Sequence, residues 1–574
     1  MTAGRRDEAE GSGAARARGA GRGLPLAAAV LACALASAFH PYRGSDLRRE
    51  APAVAREGAD PGGHPGGWIA GLDQRFVTWL AARNAWTLLH RPAALFDAEP
   101  CFPERSTLAF GEPGIALGVV AIPGWIASRD PIATWNATLP TFAVVWALAL
   151  FLLVRDWTGS TAAALVAALL FAFHPVRRDE VLHPYAWDDG WAALALFFAV
   201  RLCERGRWRD ALGLALSGAL QLGSSLYATL GAACLALPLA GWLAALHGRR
   251  PPQWGRWLAA GAVWVAAAAA IFGPYLARRA EGGLAPRTSQ YLLEWSSVLP
   301  SGSYWPGPLL LALAALGLAL RGSRFARGWR DPRWALATGA LLALVVSAGG
   351  EPLLPGLPQA LARIVPGLDA IRGLSRLYSA VLLALCILAG LGAAALVRAL
   401  PARLRAAAAV LLVLAAYIDT LRPASLGLAP RVAYTMAEIA PPPAALELFE
   451  RLAAQGDHGP IAEVPLHRRT HRRNNEAILL SAYHHRRTSA CRNSYLPQGL
   501  AALETTLAAV PAPAALDRLR ALGFRTVVVH HAPGSPVGEA LRRRFAARAA
   551  APGSGLRLLA GNASYSAWSI APGL

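Results

Sequence analysis

The chain has 574 residues, 55% hydrophobic and only 16% charged, with a formal charge of +21. Ordinary soluble domains carry about 25% charged residues, so this balance excludes a typical soluble enzyme and indicates a polytopic membrane protein. All 56 Lys-plus-Arg positions are Arg, clustered between apolar runs; this is the pattern of membrane topology, and no nucleic-acid partner is expected.

Residues 1–23 are Gly, Ala and Arg with scattered acids and no hydrophobic periodicity, which predicts a disordered basic cytoplasmic tail. The run "LPLAAAVLACALASAF" suits either a cleaved signal peptide or a retained first helix. Its Arg-rich flank favours the retained helix, with the N-terminus cytoplasmic. Further apolar runs lie near 140–154, 161–174, 190–203, 211–223, 226–246, 257–276, 307–320, 334–348, 376–397 and 405–418. The segment "IALGVVAIPGWIA" at 115–127 is shorter than the ~20 residues of a crossing and suits a re-entrant or interfacial piece. Leaving it out gives eleven spans. The Arg clusters "ERGRWRD", "HGRRPPQWGR", "RGSRFARGWRDPR" and "VRALPARLR" then all face the cytoplasm, as the positive-inside rule requires. The segments 40–139, 175–189, 277–306 and 349–375 share the exoplasmic side with the C-terminal region.

From 422 to 574 the pattern changes. "GPIAEVPL" and "FRTVVVHH" read as buried strands, "ALELFERLAAQ" and "ALDRLRAL" as amphipathic helices, and "LRLLAGNASYSAWSI" as a terminal strand pair. The predicted fold is therefore an α-helical polytopic membrane domain over 24–421, with a first exoplasmic loop at 40–139, followed by a small exoplasmic α/β domain.

That first loop carries the candidate chemistry. Written as a helix from Asp73 to His90, it places Trp79, Arg83, Trp86 and His90 on one stripe, which suits a helix lying in the lipid interface. Asp73 stands at the helix start, where a carboxylate serves either as a simple cap or as a catalytic group. Asp97 and Glu99 follow on the return and are expected to support a rim, one of them as a turn cap. In the second loop, Asp179, Glu180, Asp188 and Asp189 lie among Arg177, Arg178 and His183. They read either as solvated loop residues or as a carboxylate pair holding a divalent cation such as Mg or Mn. The four cysteines Cys33, Cys203, Cys234 and Cys386 fall in or beside apolar runs. Cys101 and Cys491 fall outside, and two unpaired thiols are expected there in preference to a bridge. "HRRTHRRNNE" and "AYHHRRTSACR" read either as solvated faces or as contacts for an anionic glycan or lipid phosphate. No Walker loop, GxSxG elbow or HExxH motif occurs.

A large first loop with an acidic residue and interfacial helices resembles the GT-C-fold glycosyltransferases, such as the protein O-mannosyltransferases and lipid A aminoarabinose transferases. Within that fold, "LDQRFVTWLAARNAW" and "LFDAEPCFPERSTLAFGEP" are similar to the first-loop segments of a family of bacterial polytopic membrane proteins, with Leu72 where the family has Gly. "FAFHPVRRDEVLHPYAWDDGW" and "IRGLSRLYSAVLLALCILAGLG" match two further segments. The resemblance implies a base or acceptor-orienting role for Asp73 and matching positions at Asn84, Arg177, His183 and Trp191. Asp189 stands where sugar transferases of this fold often carry Asp, although the nearer family tends to Gln. It also implies a lipid-linked, polyprenyl-phosphate sugar donor, an envelope glycan or lipid acceptor, and a site in the bacterial inner membrane. The exoplasmic Arg177, Arg178, Arg278, Arg279, Arg287, Arg372 and Arg376 would bind the leaving phosphate, or plain lipid headgroups. The alternative reading is a non-catalytic or transport-like protein of envelope polysaccharide assembly.

Overall fold

The computed structural model describes residues 24–54, 70–247, 254–284, 291–300, 302–325, 331–351, 354–365, 368–421, 434–466, 471–531 and 536–570. The predicted tail 1–23 and Arg287 lie outside them.

In a hydrocarbon surrounding every backbone group must be bonded within its own segment, and the apolar part of the chain is accordingly helical. Its helices are α1 (Leu24–Ala38), α2 (Ala70–His90), α3 (Ile115–Ser128), α4 (Pro131–Thr158), α5 (Thr161–Ala172) and the short α6 (Pro175–Asp179). After these come α7 (Gly190–Arg205), α8 (Trp208–Ser224), α9 (Leu226–His247), α10 (Trp254–Ala280), α11 (Pro308–Ala319), α12 (Pro332–Ser347), the short α13 (Leu357–Ala362), α14 (Tyr378–Ala399) and α15 (Ala402–Thr420). Side-chain caps start several of them: Asp130 accepts from Ala133 N at 2.8 Å, and Ser160 from Ala163 N at 3.2 Å. Gly159, in the left-handed region at φ 70°, ends α4.

Among the described residues, five helices are long and apolar enough to cross a membrane by length and composition: Pro131–Thr158, Thr161–Arg178, Leu226–Leu246, Trp254–Ala280 and Leu374–Ala399. The chain is thus mostly helical with several apolar helices, the architecture of a polytopic membrane protein. The segment read as re-entrant is α3, whose 14 residues run about 21 Å, short of the ~30 Å hydrocarbon core.

The C-terminal part contains α16 (Pro443–Ala454), α17 (His471–His484), α18 (Leu500–Ala509), α19 (Pro513–Ala521) and α20 (Pro536–Ala550). Strands β3 (Ile461–Val464), β4 (Thr526–His530), β5 (Arg557–Gly561) and β6 (Tyr565–Ser569) form a sheet in the order β3-β4-β6-β5, with β3 parallel to β4 and the other pairs antiparallel. Period-two alternation gives the sheet two apolar faces. Ala462, Val464, Val527, Val529 and Trp568 pack against α18, α19 and α20, while Ile461, Val528 and Ala567 pack against α16 and α17.

Two contacts tie this part to the first loop. Strand β1 (Glu50–Val54), in that loop, pairs antiparallel with β2 (Tyr434–Glu438), which follows α15. Helix α17 packs along α2, and a single apolar core continues from the membrane helices through Val77, Leu80 and Ala81 of α2 to Ile478 and Ala482 of α17.

This docking corrects the interfacial reading of α2. Trp79 and Arg83 are each only 1% exposed, and Trp86 stacks on His485 with ring centroids 3.9 Å apart. The helix is covered nearly all round, its polar Gln74, Thr78, Arg83, Asn84 and Thr87 included, by α3 and α4 and by α17. The Arg/His run beyond α17 is likewise no solvated face. His484 stacks on Phe449 at 4.1 Å, Arg486 pairs with Asp457 at 2.9 Å, and the Arg487 guanidinium sits 4.6 Å over the Phe102 ring.

Burial, reinforced by Arg91, His90 and Arg83, pushes the His485 imidazole down to about 4. The unfolded chain takes up this proton near 6.5 and the folded chain only near 4, so between those values acidification favours the unfolded state. The melting temperature of the purified protein should fall from pH 7 to pH 5. His485→Phe, which keeps a ring on Trp86 but cannot protonate, should make that fall shallower; an identical fall in the variant would refute the assignment.

Candidate active site

Asp73 lies in the first turn of α2 with its side chain 30% exposed. Its Oδ1 accepts a hydrogen bond from Arg492 Nη2 at 3.0 Å, and its Oδ2 stands 4.0 Å from His183 Nε2. His183 Nδ1 is in turn 3.8 Å from Glu180. Three distant stretches therefore meet at one carboxylate: the start of α2, the second loop, and the segment after α17.

That third stretch reaches Asp73 because residues 488–495 are laced to the first loop. Thr488 N donates to Glu99 O at 2.8 Å, Cys101 N to Ala490 O at 2.8 Å, Phe102 N to Thr488 O at 3.0 Å, and Tyr495 N to Phe110 O at 2.8 Å. Between these bonds Cys101 and Cys491 form a disulfide, with Cα atoms 4.4 Å apart. The expectation of two unpaired thiols is overturned; docking of the two segments brings together cysteines 390 positions apart. Gly111 belongs to the same contact, since a Cβ there would stand 1.9 Å from Asn493 Oδ1. Only glycine allows Asn493 so close.

Beside this junction lies a cavity of about 550 Å³, lined by Glu112, Tyr227, Tyr275, Arg279, Arg372 and Tyr495 among others. Glu112 accepts from Leu226 N at 3.2 Å. Burial pushes its carboxyl up from the ordinary value, opposed by hydrogen bonds from Ser225 and Leu226 and by the charges of Arg376 and Arg372. A second, larger cavity of about 730 Å³ is lined by apolar residues such as Leu196, Leu214, Leu239 and Trp264. Leu222 and Thr229 line both cavities.

The other predicted residues divide by location. Asn84 donates to Pro113 O and Gly114 O at 2.8 and 2.9 Å and so holds the turn that carries Glu112. Asp97 accepts from Ser106 N at 2.7 Å as a turn cap, and Glu99 pairs with the buried Arg83 at 3.2 Å. Arg279 is bonded twice to Asp369, at 2.7 and 2.6 Å, and Arg278 pairs with Glu281 at 2.8 Å and Glu104 at 3.4 Å. Arg372 donates to Ser494 at 3.4 Å, and Arg376 lies 5.2 Å over the Tyr227 ring. Arg178 is within electrostatic reach of Tyr434, away from the cavities.

Arg177 and the pair Asp188–Asp189 lie deeper. The Arg177 guanidinium is sandwiched between Phe171 and Trp146, at 4.0 and 4.5 Å, and stands 3.9 Å from Asp189. Asp188 accepts from Trp146 and Trp191, both at 2.7 Å, and from Ser224. Both carboxylates are fully buried and line neither cavity. Asp188 is thus engaged by three donors, and Asp189 faces Arg177. Among the described residues, no group of three or more His, Cys, Asp or Glu side chains is placed to hold a metal ion.

Sequence reasoning missed Glu112 and Arg492. The "FGEP" turn was a signal for the first; nothing local marks Arg492 among its neighbouring arginines.

No family model matches the chain, and no curated protein matches it. Among solved structures it is similar to the arabinofuranosyltransferase AftD from Mycobacteria, at TM-score 0.47 and 16% identity, covering 94% of this chain and 40% of that one. It is also similar to ArnT from Cupriavidus metallidurans in the apo state, at TM-score 0.44 and 13% identity, covering 96% and 98%. A third similar structure is the archaeal oligosaccharyltransferase AglB from Archaeoglobus fulgidus in complex with an inhibitory peptide and a dolichol-phosphate, at TM-score 0.40 and 13% identity, covering 88% and 69%. The chain spans about two fifths of the length of AftD.

Peptide mapping tests the junction. Under non-reducing conditions, digestion should release one species containing both Cys101 and Cys491, which separates on reduction. Recovery of the two peptides apart before reduction would disprove the pairing.

Proposed function

We propose that the protein is a membrane glycosyltransferase that moves a sugar from a polyprenyl-phosphate donor to an envelope acceptor at the exoplasmic face. The observation that carries this reading is the pair of cavities sharing Leu222 and Thr229, one apolar and one bearing Glu112 and Arg372, the second lined by Ser494, two positions from the Arg492 that holds Asp73. A lipid-linked sugar has this division: an apolar tail, an anionic phosphate and a polar head. The isoprenoid occupies the apolar cavity, and the phosphate faces Arg372, which lines the second cavity, and Arg376, which lies over that cavity's Tyr227 ring.

In this reading Asp73 takes the proton of the acceptor hydroxyl as its oxygen bonds to the anomeric carbon. The bond from that carbon to the phosphate oxygen breaks, and polyprenyl phosphate leaves with the electron pair. Arginine suits the leaving group because its planar fork neutralises two phosphate oxygens at once. Glu112, aligned by Asn84 through the turn it holds, is available to accept from sugar hydroxyls. Arg177, Asp188 and Asp189 brace the wall of the site through Trp146 and Trp191.

The same proposal takes eleven spans, an inside N-terminus and an outside C-terminal domain. The exposed Val537 on α20 is a suitable probe. Val537→Cys should react with a membrane-impermeant maleimide in intact cells; protection until the cells are opened would invert the topology. At the site, Asp73→Asn keeps the side-chain volume and should slow release of polyprenyl phosphate by on the order of 10²–10⁴-fold. Asp97→Asn should cost less, because Asp97 caps a turn and handles no proton. Full activity in a folded Asp73→Asn protein would end the general-base assignment.

A further inference from the structure

We propose that Arg492, delivered by the C-terminal part of the chain, orients the acceptor hydroxyl against Asp73. The inference rests on the glycosyltransferase reading and adds a residue from outside the membrane helices to the reacting centre.

The two ends of the Arg492 guanidinium are in different states. Nη2 donates to Asp73 Oδ1 at 3.0 Å, whereas Nη1 is buried and has no acceptor among the described residues. A guanidinium is planar and its donors are fixed relative to one another. An oxygen that accepts from Nη1 lies near the plane of the same guanidinium that holds the Asp73 carboxylate oxygen at Nη2. A hydroxyl bound there is within reach of Asp73. The spare donor is polar, desolvated and uncompensated by protein, a costly arrangement unless substrate completes it.

The backbone around Arg492 is pinned on both sides, so the fork is held in place without its own side chain doing the anchoring. Before it, Cys491 is bridged to Cys101 and its N–H donates to Asn474 Oδ1 at 2.9 Å. After it, Asn493 closes on Gly111 and Ser494 meets Arg372 at 3.4 Å. The other exoplasmic arginines around the cavity are differently engaged, Arg278 and Arg279 with Glu281 and Asp369. Arg372 and Arg376 lie on the Glu112 side, where the donor phosphate is placed, whereas Arg492 holds the base itself.

In the step, the acceptor oxygen takes a hydrogen bond from Arg492 Nη1 while its proton moves to Asp73. Its lone pair forms the bond to the anomeric carbon as the carbon–phosphate oxygen bond breaks. Arg492 keeps all its protons and restrains the angle of attack.

The experiment uses the full chain, expressed in cells of a strain lacking it to measure transfer and purified into lipid nanodiscs to measure binding. Incorporation of labelled sugar into the envelope of those cells measures transfer, and decaprenyl phosphate is the probe for the donor side in the nanodiscs. Arg492→Gln is expected to bind decaprenyl phosphate like the unaltered chain and to keep the Cys101–Cys491 linkage. Its rate of incorporation should fall by on the order of 10²-fold, the scale of losing alignment at a reacting centre. Unchanged incorporation overturns the proposal. So does decaprenyl phosphate binding weakened by about tenfold or more, which would make Arg492 a donor-side contact. If Arg492→Gln fails to fold, Arg492→Lys decides the matter: it retains the charge beside Asp73 and lacks the fork. Lys is expected to fold and still lose most transfer, and full transfer with Lys overturns the alignment role. A failure of the unaltered chain to restore any envelope sugar is a separate result, and strikes the glycosyltransferase reading instead.

Discussion

A loop buried between two layers of protein must find partners for its own backbone groups, because an unpaired N–H or C=O away from water costs as much as a lost hydrogen bond. The segment 95–111 meets that demand with two devices. Arg83, buried in α2, donates through its guanidinium to Glu99, Asn84, Leu95 O and Ala94 O. The segment 488–495 supplies further partners from the far end of the chain, beside those the loop's own turns provide. Removing Glu99 from this arrangement would leave a buried cation short of its charge partner, a loss of about 3–5 kcal/mol for pairs of this kind. The rest of the site hangs on this closure: it places the Glu112 turn, draws Cys491 onto Cys101, and sets Arg492 beside Asp73.

The same closure explains why residues of such different sequence position share one function-bearing surface. Asn84 grips the 113–114 turn, Tyr275 of α10 donates to Gly111 O at 2.5 Å, and Asn493 closes on Gly111. The turn carrying Glu112 is therefore held by three separate elements, and its carboxylate has little freedom to follow solvent. A preorganised carboxylate facing fixed cations is the electrostatic condition for stabilising charge that develops during a transfer.

Below this polar layer the helices contribute shape rather than chemistry. Their small residues open a cavity next to bulky ones: Gly218 leaves room for Trp264, and Gly190 for Trp146. Arg177 is stabilised there by two aromatic faces and Asp189, and Asp188 by three donors. Breaking one member of such a buried group leaves the other charge without its partner. The role of these residues in the proposed transfer is support.

Composition and periodicity alone determined the classes of element. Long apolar runs left no choice but helices, and the continuous Val run in "FRTVVVHH" indicated a strand buried on both faces, because a local pattern encodes local structure. Asp73 at a helix start was legible for the same reason. The orientation of α2 was not: a stripe of Trp79, Arg83, Trp86 and His90 has the same spacing whether it meets lipid or protein, and only the docking of α17 decided for protein. The partner of Asp73 was equally hidden, since one arginine in "HHRRTSACRNS" differs from the next only by the distance over which the chain returns. Which cation meets the carboxylate, which cysteines pair and where the cavities open are properties of contacts hundreds of residues apart. Those contacts exist only once the core has closed.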